Sequence, residues 1–484
     1  MSQPTVANDA RASAEHFDLK PDLERTGELH DRLARQLVES PDLFARVGSM
    51  ATQQLANAGV RFETDKELPA ALSALVLRRS SIDGLRLVTE RLHAIVEQAL
   101  NWLVNEPGRL EQYFPDHRRM MPYLARTPGL DSWQGYSRYD SVVTMDGRLK
   151  IIELNACCPA GFIHMPYCTQ ATTTALRELE VLPEGAECSG AVEDGVLVEG
   201  LLSIERRSAI QPGLVALLND ENGLRNELDL MAEAFRARSR EVVIASASAL
   251  TTDESGRVLY KGRPVSLSCN KIRVSTAESP NHCWKNGFEQ RYRGFLEGLQ
   301  QGAFVSVNNL VSATIAEDKS LLAMLRRPEF NGTLSKSDRE FVDRFVVWTA
   351  PLKPGPVDFD AESVDLLPFI RRHRDRFVLK PANEGRGFGV IVGAECEQSV
   401  WEAACAPQHK IPYVVQEFAL PATLPVPTPQ HSNERQDSVV PMHLVLALAI
   451  VDGQYCGLFS RISPHLVTNV GRSGLIQSVS VVDD

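Results

Sequence analysis

Apolar and polar residues alternate with a two-residue period in two short runs, Ser141-Val142-Val143-Thr144-Met145 and Leu149-Lys150-Ile151-Ile152-Glu153-Leu154. Asp146-Gly147 between them is a hairpin turn signal, so the pair is expected as two antiparallel strands. Residues 1 to about 130 follow another period: in Leu85 to Val96 apolar positions recur at three and four, which predicts a helical N-terminal region. Thr169 to Leu182 reads as a further helix. Gly213 to Leu218, Gly223 to Arg238 and Glu241 to Ala245 read as strand, helix and strand, a β-α-β unit. Val258 to Tyr260 and Val265 to Cys269 flank a Lys261-Gly262 turn as another hairpin. Nearer the C-terminus, Arg376 to Pro381 and Val390 to Gly393 are strands around a glycine-rich stretch, and Ile411 to Ala419 is a short strand. Leu420 to Pro441, rich in Pro, Ser and Gln, reads as a long exposed loop; Met442 to Ile450 and Tyr455 to Ile462 then form a last hairpin about Asp452-Gly453. The chain is thus expected to be α/β, with a helical region at 1–130, a hairpin segment at 131–200, a small α/β subdomain at 201–310 and a further segment at 311–484.

Length and charge narrow the classes. At 484 residues the chain exceeds one compact core, and 43% apolar with 23% charged residues fits an ordinary globular protein. A formal net charge of -11 argues against a general nucleic-acid binder, although a local basic groove for phosphates can sit within it. No apolar run is long enough to span a bilayer, and MSQPTVANDARASAEHFD lacks the basic start and apolar core of a signal peptide, so a cytoplasmic protein is expected. Nine cysteines without a C-x-x-C pair suggest reduced thiols. The adjacent Cys157 and Cys158 could be a nucleophile with His164 as base; small buried thiols are the commoner case.

Two clusters suggest chemistry. Folding the first hairpin brings Arg138 and Asp140, at the start of one strand, together with Glu153 and Asn155, at the end of the other, each pair two apart and therefore on one face. Carboxylate and amide oxygens suit Mg2+, and the arginine would grip an anion; solvated strand ends or a surface ion pair would use the same residues. The second cluster begins at Lys380, which ends a strand ahead of Gly385, Gly387 and Gly389. Such a turn can fold over a triphosphate, though it is not a Walker loop and glycines often serve turn geometry alone. Lys319 stands in the first turn of a helix beginning near Glu317, where a phosphate or solvation would offset the helix dipole. Gln416 and Glu417 end the short strand, Arg461 lies on the last hairpin, and Thr468 to Gly474 is a polar loop that could line a site. The β-α-β unit lacks G-x-G-x-x-G, which disfavours a dinucleotide role.

Taken together, the lysine-ended strand with its glycine loop, the Gln416-Glu417-Phe418 strand end and Glu153-x-Asn155 resemble the parts of ATP-grasp ligases. The metal segment precedes the lysine strand here, and Arg138-x-Asp140 lies upstream of Glu153-x-Asn155. That order is similar to the circularly permuted relatives that resemble glutathionylspermidine synthetase, over roughly residues 130 to 480. The resemblance implies a circularly permuted ATP-grasp fold in which Asp140, Glu153 and Asn155 hold magnesium and Arg138 stabilises the reacting phosphoryl and carboxyl groups. It further implies that Lys319 and Lys380 contact ATP phosphates or the adenine pocket, Gly385 to Gly389 closes over the phosphates, and Gln416 with Glu417 meets adenine and ribose. Arg461 would add charge near the transferred group, and residues from about 200 to 310 would match the domain that precedes the grasp in unpermuted members. One departure stands out: where the synthetase continues with an aspartate and Thr-Pro-Thr, this chain has Ala156-Cys157-Cys158-Pro159-Ala160-Gly161. Glutathione and spermidine therefore do not carry over as substrates. The activity implied is ATP-dependent joining of a carboxylate (amino acid or peptide) to an amine through an acyl phosphate, with ADP and phosphate released and no nucleic-acid or membrane partner. Transfer of the acyl group to a thiol, for instance on a carrier protein, and a catalytically silent nucleotide-binding scaffold are the alternatives.

Overall fold

The computed structural model describes residues 17–62, 66–183, 185–186, 195–219, 224–272, 287–385, 387–406, 409, 411–428 and 439–484. The N-terminal stretch read for a signal, Gly223, Arg386 and residues 429–438 of the expected loop lie outside these. No helix among the described residues is long and apolar enough to cross a membrane.

A seven-stranded sheet is the centre of the molecule. Its order is Ala70–Arg78, Leu475–Val482, Gln454–Ser463, Val439–Val451, Tyr136–Val143 and Leu149–Asn155, with Thr423–Pro427 also paired to Val439–Val451. Val439–Val451 is apolar on both faces because both are covered. One face packs against the 26-residue helix Arg79–Val104, whose Leu85, Val88, Leu92, Ile95, Val96, Leu100 and Leu103 form a stripe at helical spacing. The opposite face is polar where the candidate residues lie.

The expected β-α-β unit is present. Leu214–Asn219 and Val242–Ala245 run parallel, helix Arg225–Arg236 connects them, and Arg263–Lys271 and Val305–Val307 extend a six-stranded sheet. A third, antiparallel sheet orders Thr349–Pro351, Tyr413–Glu417, Phe377–Pro381 and Ile391–Val392. Phe377 and Leu379 point into its own small core around Trp401, which turns Val378 and Lys380 the other way.

Two segments differ from expectation. The N-terminal region is mainly helical, with Lys20–Glu39, Pro41–Asn57 and Arg79–Val104, yet Ala70–Arg78 is a strand that pairs in parallel with Leu475–Val482. Its sequence, AALSALVLR, consists mostly of good helix formers; burial of seven successive residues overrides that propensity. The central sheet therefore draws on segments 1–130, 131–200 and 311–484 together. Within the expected loop at 420–441, Thr423–Pro427 is a strand held by the apolar pairing of Leu424 and Val426.

Asn308 ties the α/β unit to the central sheet. Its side chain accepts from the Tyr136 N–H (2.7 Å) and donates to the carbonyls of Ala156 (2.7 Å) and Tyr136, all buried. Asn308→Ala leaves the Tyr136 N–H and carbonyl without this partner, while the Ala156 carbonyl keeps Ser312 Oγ (3.0 Å), so unfolding free energy should fall by about 2 kcal/mol. A urea midpoint equal to wild type would show that the tie is dispensable.

Candidate active site

The floor of the site is one face of the central sheet. In the hairpin, Arg138 lies opposite Asn155 and Asp140 opposite Glu153, so all four side chains rise from the same face. The neighbouring strands continue it: Ala447 pairs with Asp140, Val445 with Val142, Phe459 with Ala447, and Arg461 with Val445. Cross-strand partners share a face, which brings Arg461 to Asp140 from 321 positions along the chain. The roof is the face of the third sheet that carries Val378, Lys380, Gln416 and Val392, since Val378 pairs with both Gln416 and Val392. Between floor and roof lies a cavity of about 720 Å³, within the usual range for small-ligand sites.

Charge is concentrated where the layers meet. Asp140 is buried and both its oxygens are taken: Oδ1 by Arg138 Nε (2.9 Å), Oδ2 by Arg138 Nη2 (3.1 Å) and Arg461 Nη2 (2.7 Å). Burial alone would raise this carboxyl, but the two guanidiniums hold it below the ordinary range. Arg138 also donates to the Ala160 carbonyl (2.6 Å), which fixes the chain after the Cys157-Cys158 pair. Lys319, also buried, pairs with Glu153 Oε1 (2.9 Å) and donates to the Glu384 carbonyl (2.7 Å), while its backbone N–H bonds Ala382 (2.8 Å). Burial opposes its charge, yet Glu153 prevails and raises the ammonium above its usual value. The loop around Ala382 to Glu384 is thereby anchored to the floor. Lys380 has no carboxylate partner among the described residues; its Nζ reaches only the Ile152 carbonyl at 3.4 Å, and burial lowers it to about 8.

The roof offers an apolar platform with one unsatisfied acceptor. Gln416 donates to Thr349 Oγ1 (3.1 Å), and its buried Oε1 has no partner among the described residues. Glu417 and Phe418 line the same end of the cavity. In the glycine stretch, Gly385, Gly387 and Phe388 line the cavity, whereas Gly389 stands behind it and accepts a bond from the Tyr413 hydroxyl (3.3 Å). Gly387 has φ +67°, and a Cβ there would come within 2.8 Å of Val467 Cγ1, so both conformation and close approach demand glycine.

All twelve candidate residues except Gly389 thus line one cavity. Asp140, Glu153 and Asn155 form an oxygen donor set that suits Mg2+, which takes one or two carboxylates and completes its shell with water and phosphate. Among the described residues no group of three His, Cys, Asp or Glu side chains is placed to hold a metal. Glu153 keeps Oε2 without a described partner, while Asp140 is fully engaged by arginine. Cys157 is buried with its thiol donating to the Ile272 carbonyl (3.2 Å).

The cavity also takes in residues with no distinguishing local signal. Glu317 lies beside Cys157: its Oε2 accepts the N–H groups of Ala156 (2.5 Å) and Cys157 (2.8 Å), and burial pushes its carboxyl to about 8. Glu227 forms a buried pair with Lys271 (3.1 Å) and accepts from the Gly161 N–H (3.3 Å). Arg61, Phe62 and Leu68 come from the N-terminal region, in which the sequence shows no cluster of catalytic type. The polar loop Thr468 to Gly471 lines the wall above them.

No protein-family model matches the chain. In sequence it is 24% identical over 275 residues to the ATP-grasp enzyme ankG of Aspergillus thermomutatus, an overlap of 52% of this chain and 54% of that protein. The chain thus spans about half the length of the curated relative it matches. In structure it is similar to a glutathione synthetase-like effector from Globodera pallida in its apo form, with a TM-score of 0.60 at 12% identity, over 92% of this chain and 98% of that one. The chain has a glutathione synthetase-like ATP-grasp fold and resembles an ATP-grasp enzyme in sequence.

Proposed function

We propose that the protein is an ATP-dependent carboxylate–amine ligase that works through an acyl phosphate. The observation that carries this reading is the convergence of four cations, Arg138, Arg461, Lys319 and Lys380, in one cavity: Asp140 and Glu153 pair with the first three, and the buried Lys380 has no carboxylate partner among the described residues. A buried ammonium without a counter-charge is costly unless an anion completes it, and a triphosphate supplies that charge. The chain order, acidic hairpin before lysine strand, is the one a circularly permuted member would have.

In this reading adenine lies on Val378, Val392 and Phe418, with its exocyclic amino group donating to the orphaned Gln416 Oε1 and Glu417 near the ribose. Lys380 and Lys319 hold the phosphates under the Gly385–Gly389 turn. Glu153 and Asn155, with Asp140 alongside, would hold Mg2+, which would supply positive charge against the charge that builds during phosphoryl transfer. A substrate carboxylate held by Arg138 and Arg461 attacks the γ-phosphorus; a P–O bond to it forms and the bond to ADP breaks. The amine then attacks the acyl carbon, phosphate leaves, and the nitrogen gives up a proton. Asp140 keeps both guanidiniums aimed, and exclusion of water by the roof protects the acyl phosphate.

The reading is tested by ADP release over a panel of carboxylates with amines or thiols, followed by product mass. Glu153→Gln should lower amine-dependent ADP release by about 10²-fold or more with the fold intact by circular dichroism; turnover equal to wild type removes Glu153 from the machinery. Lys380 gives a pH signature. With its ordinary value lowered to about 8 by burial, the ammonium is fully present below that pH, and a bound triphosphate restores it above. ATP binding should therefore take up as much as one proton between about pH 8 and 9.5, with affinity falling as pH rises. Calorimetry in buffers of different ionisation enthalpy should register this uptake in wild type and lose it in Lys380→Met; identical uptake in both would assign it elsewhere.

A further inference from the structure

The cavity does not end at Arg461. Adjacent strands lie about 4.8 Å apart, and the next strand beyond Gln454–Ser463 places Ile476 opposite Arg461, on the same face. Ile476 accordingly lines the cavity, and past it come Leu68, Phe62 and Arg61. This arm lies on the opposite side of Arg461 from Glu153, so the triphosphate and its platform do not use it.

Its chemistry is distinctive. The Arg61 backbone is held firmly: its N–H donates to Asn226 Oδ1 (2.9 Å), and Asn226 Nδ2 donates to the Gly59 carbonyl (2.6 Å). Its guanidinium, by contrast, has no ion-pair or hydrogen-bond partner among the described residues, not even Glu67, its cross-strand neighbour. The other two arginines of the cavity, Arg138 and Arg461, are paired with Asp140. Two further wall residues hold buried polar atoms: the Thr468 hydroxyl, without a hydrogen-bond partner among the described residues, and the imidazole of His164, which lies against Asn226. Burial lowers His164, so its imidazole is neutral near pH 7 and can donate from one nitrogen and accept at the other. Phe62, Leu68 and Ile476 add apolar surface beside these polar groups.

We propose that this arm binds the amine substrate of the ligation by a carboxylate that takes no part in the reaction, paired with Arg61, and by an apolar body against Phe62, Leu68 and Ile476. The inference rests on the ligase reading for what happens at the other end of the molecule. From Arg461 the central sheet continues through Ile476 to its edge strand Ala70–Arg78, about two strand spacings or on the order of 10 Å, which two to three residues of extended chain cover; Arg61 and Phe62 line the same cavity from a separate two-stranded ribbon with Lys66–Glu67. A hydrophobic amino acid or short peptide with a free carboxylate fits: charge at Arg61, amide groups available to His164 and Thr468, and the amino group directed toward the acyl group that Arg138 and Arg461 would hold.

The test is titration calorimetry on the full chain with a non-hydrolysable ATP analogue present, using glycyl-leucine, glycyl-phenylalanine, their C-terminal amides, and glycyl-glycine. The free acids of the two apolar dipeptides should bind at least tenfold more tightly than their amides and than glycyl-glycine. Arg61→Ala should erase the preference for acid over amide without changing affinity for the ATP analogue, and Arg61→Lys should keep part of it. Equal binding of acid and amide, an unaltered preference in Arg61→Ala, or no binding by any of the five probes overturns the proposal. An Arg61-dependent acid preference without ADP release from ATP, for these probes and for every donor–acceptor pair of the wider panel, leaves the arm standing and sinks the ligase reading.

Discussion

A single buried carboxylate organises the site. Asp140 lies under the cavity with both oxygens held by guanidiniums, one two residues away and one brought by a distant strand. In a medium of low polarity none of the three charges is tolerable alone, and removal of one partner from such a cluster typically costs about 3–5 kcal/mol. The cluster therefore constrains register as much as charge: Tyr136–Val143, Val439–Val451 and Gln454–Ser463 must align so that Arg461 meets Asp140. A slip of one residue would turn the charged groups into the core beneath.

Lys319 performs the corresponding task between layers. Its ammonium joins the floor at Glu153 and the roof at Glu384, and its backbone joins the roof again at Ala382. The two sheets are thus linked through the group that would meet phosphate. In the proposed reading, competition by a phosphate for that ammonium would weaken the Glu153 contact and leave Glu153 freer to serve a cation, so anion and metal binding would be electrostatically coupled at one lysine.

Cavity composition follows from the same architecture. The antiparallel floor has one face against helix Arg79–Val104 and can expose polar groups on the other only where a second layer stands off from it. Where the third sheet stands off, the floor carries Arg138, Asp140, Glu153 and Asn155; further across, toward the N-terminal strands, it carries Ile476 and meets Phe62 and Leu68. One continuous surface thereby passes from highly charged to largely apolar, with the Arg61 guanidinium, unpaired among the described residues, at its far end.

Local pattern was enough for the parts of this protein that local geometry controls. Alternation around Asp146-Gly147 determined the acidic hairpin, and two-residue parity put Arg138 with Asp140 and Glu153 with Asn155 on a common face; the β-α-β unit and the glycines of the Lys380 turn were equally legible. Tertiary structure decided everything that depends on partners remote in sequence. Ala70–Arg78 became a strand because both its faces are covered, against its own helical preference. Asp140 acquired Arg461 through sheet order, while Lys319, at a helix start, acquired Glu153, and Arg61, in a separate two-stranded ribbon, arrived at the cavity through the packing of layers. Periodicity reports which face of an element is buried, but the identity of the neighbour that buries it is set by long-range packing, which no short window of sequence contains.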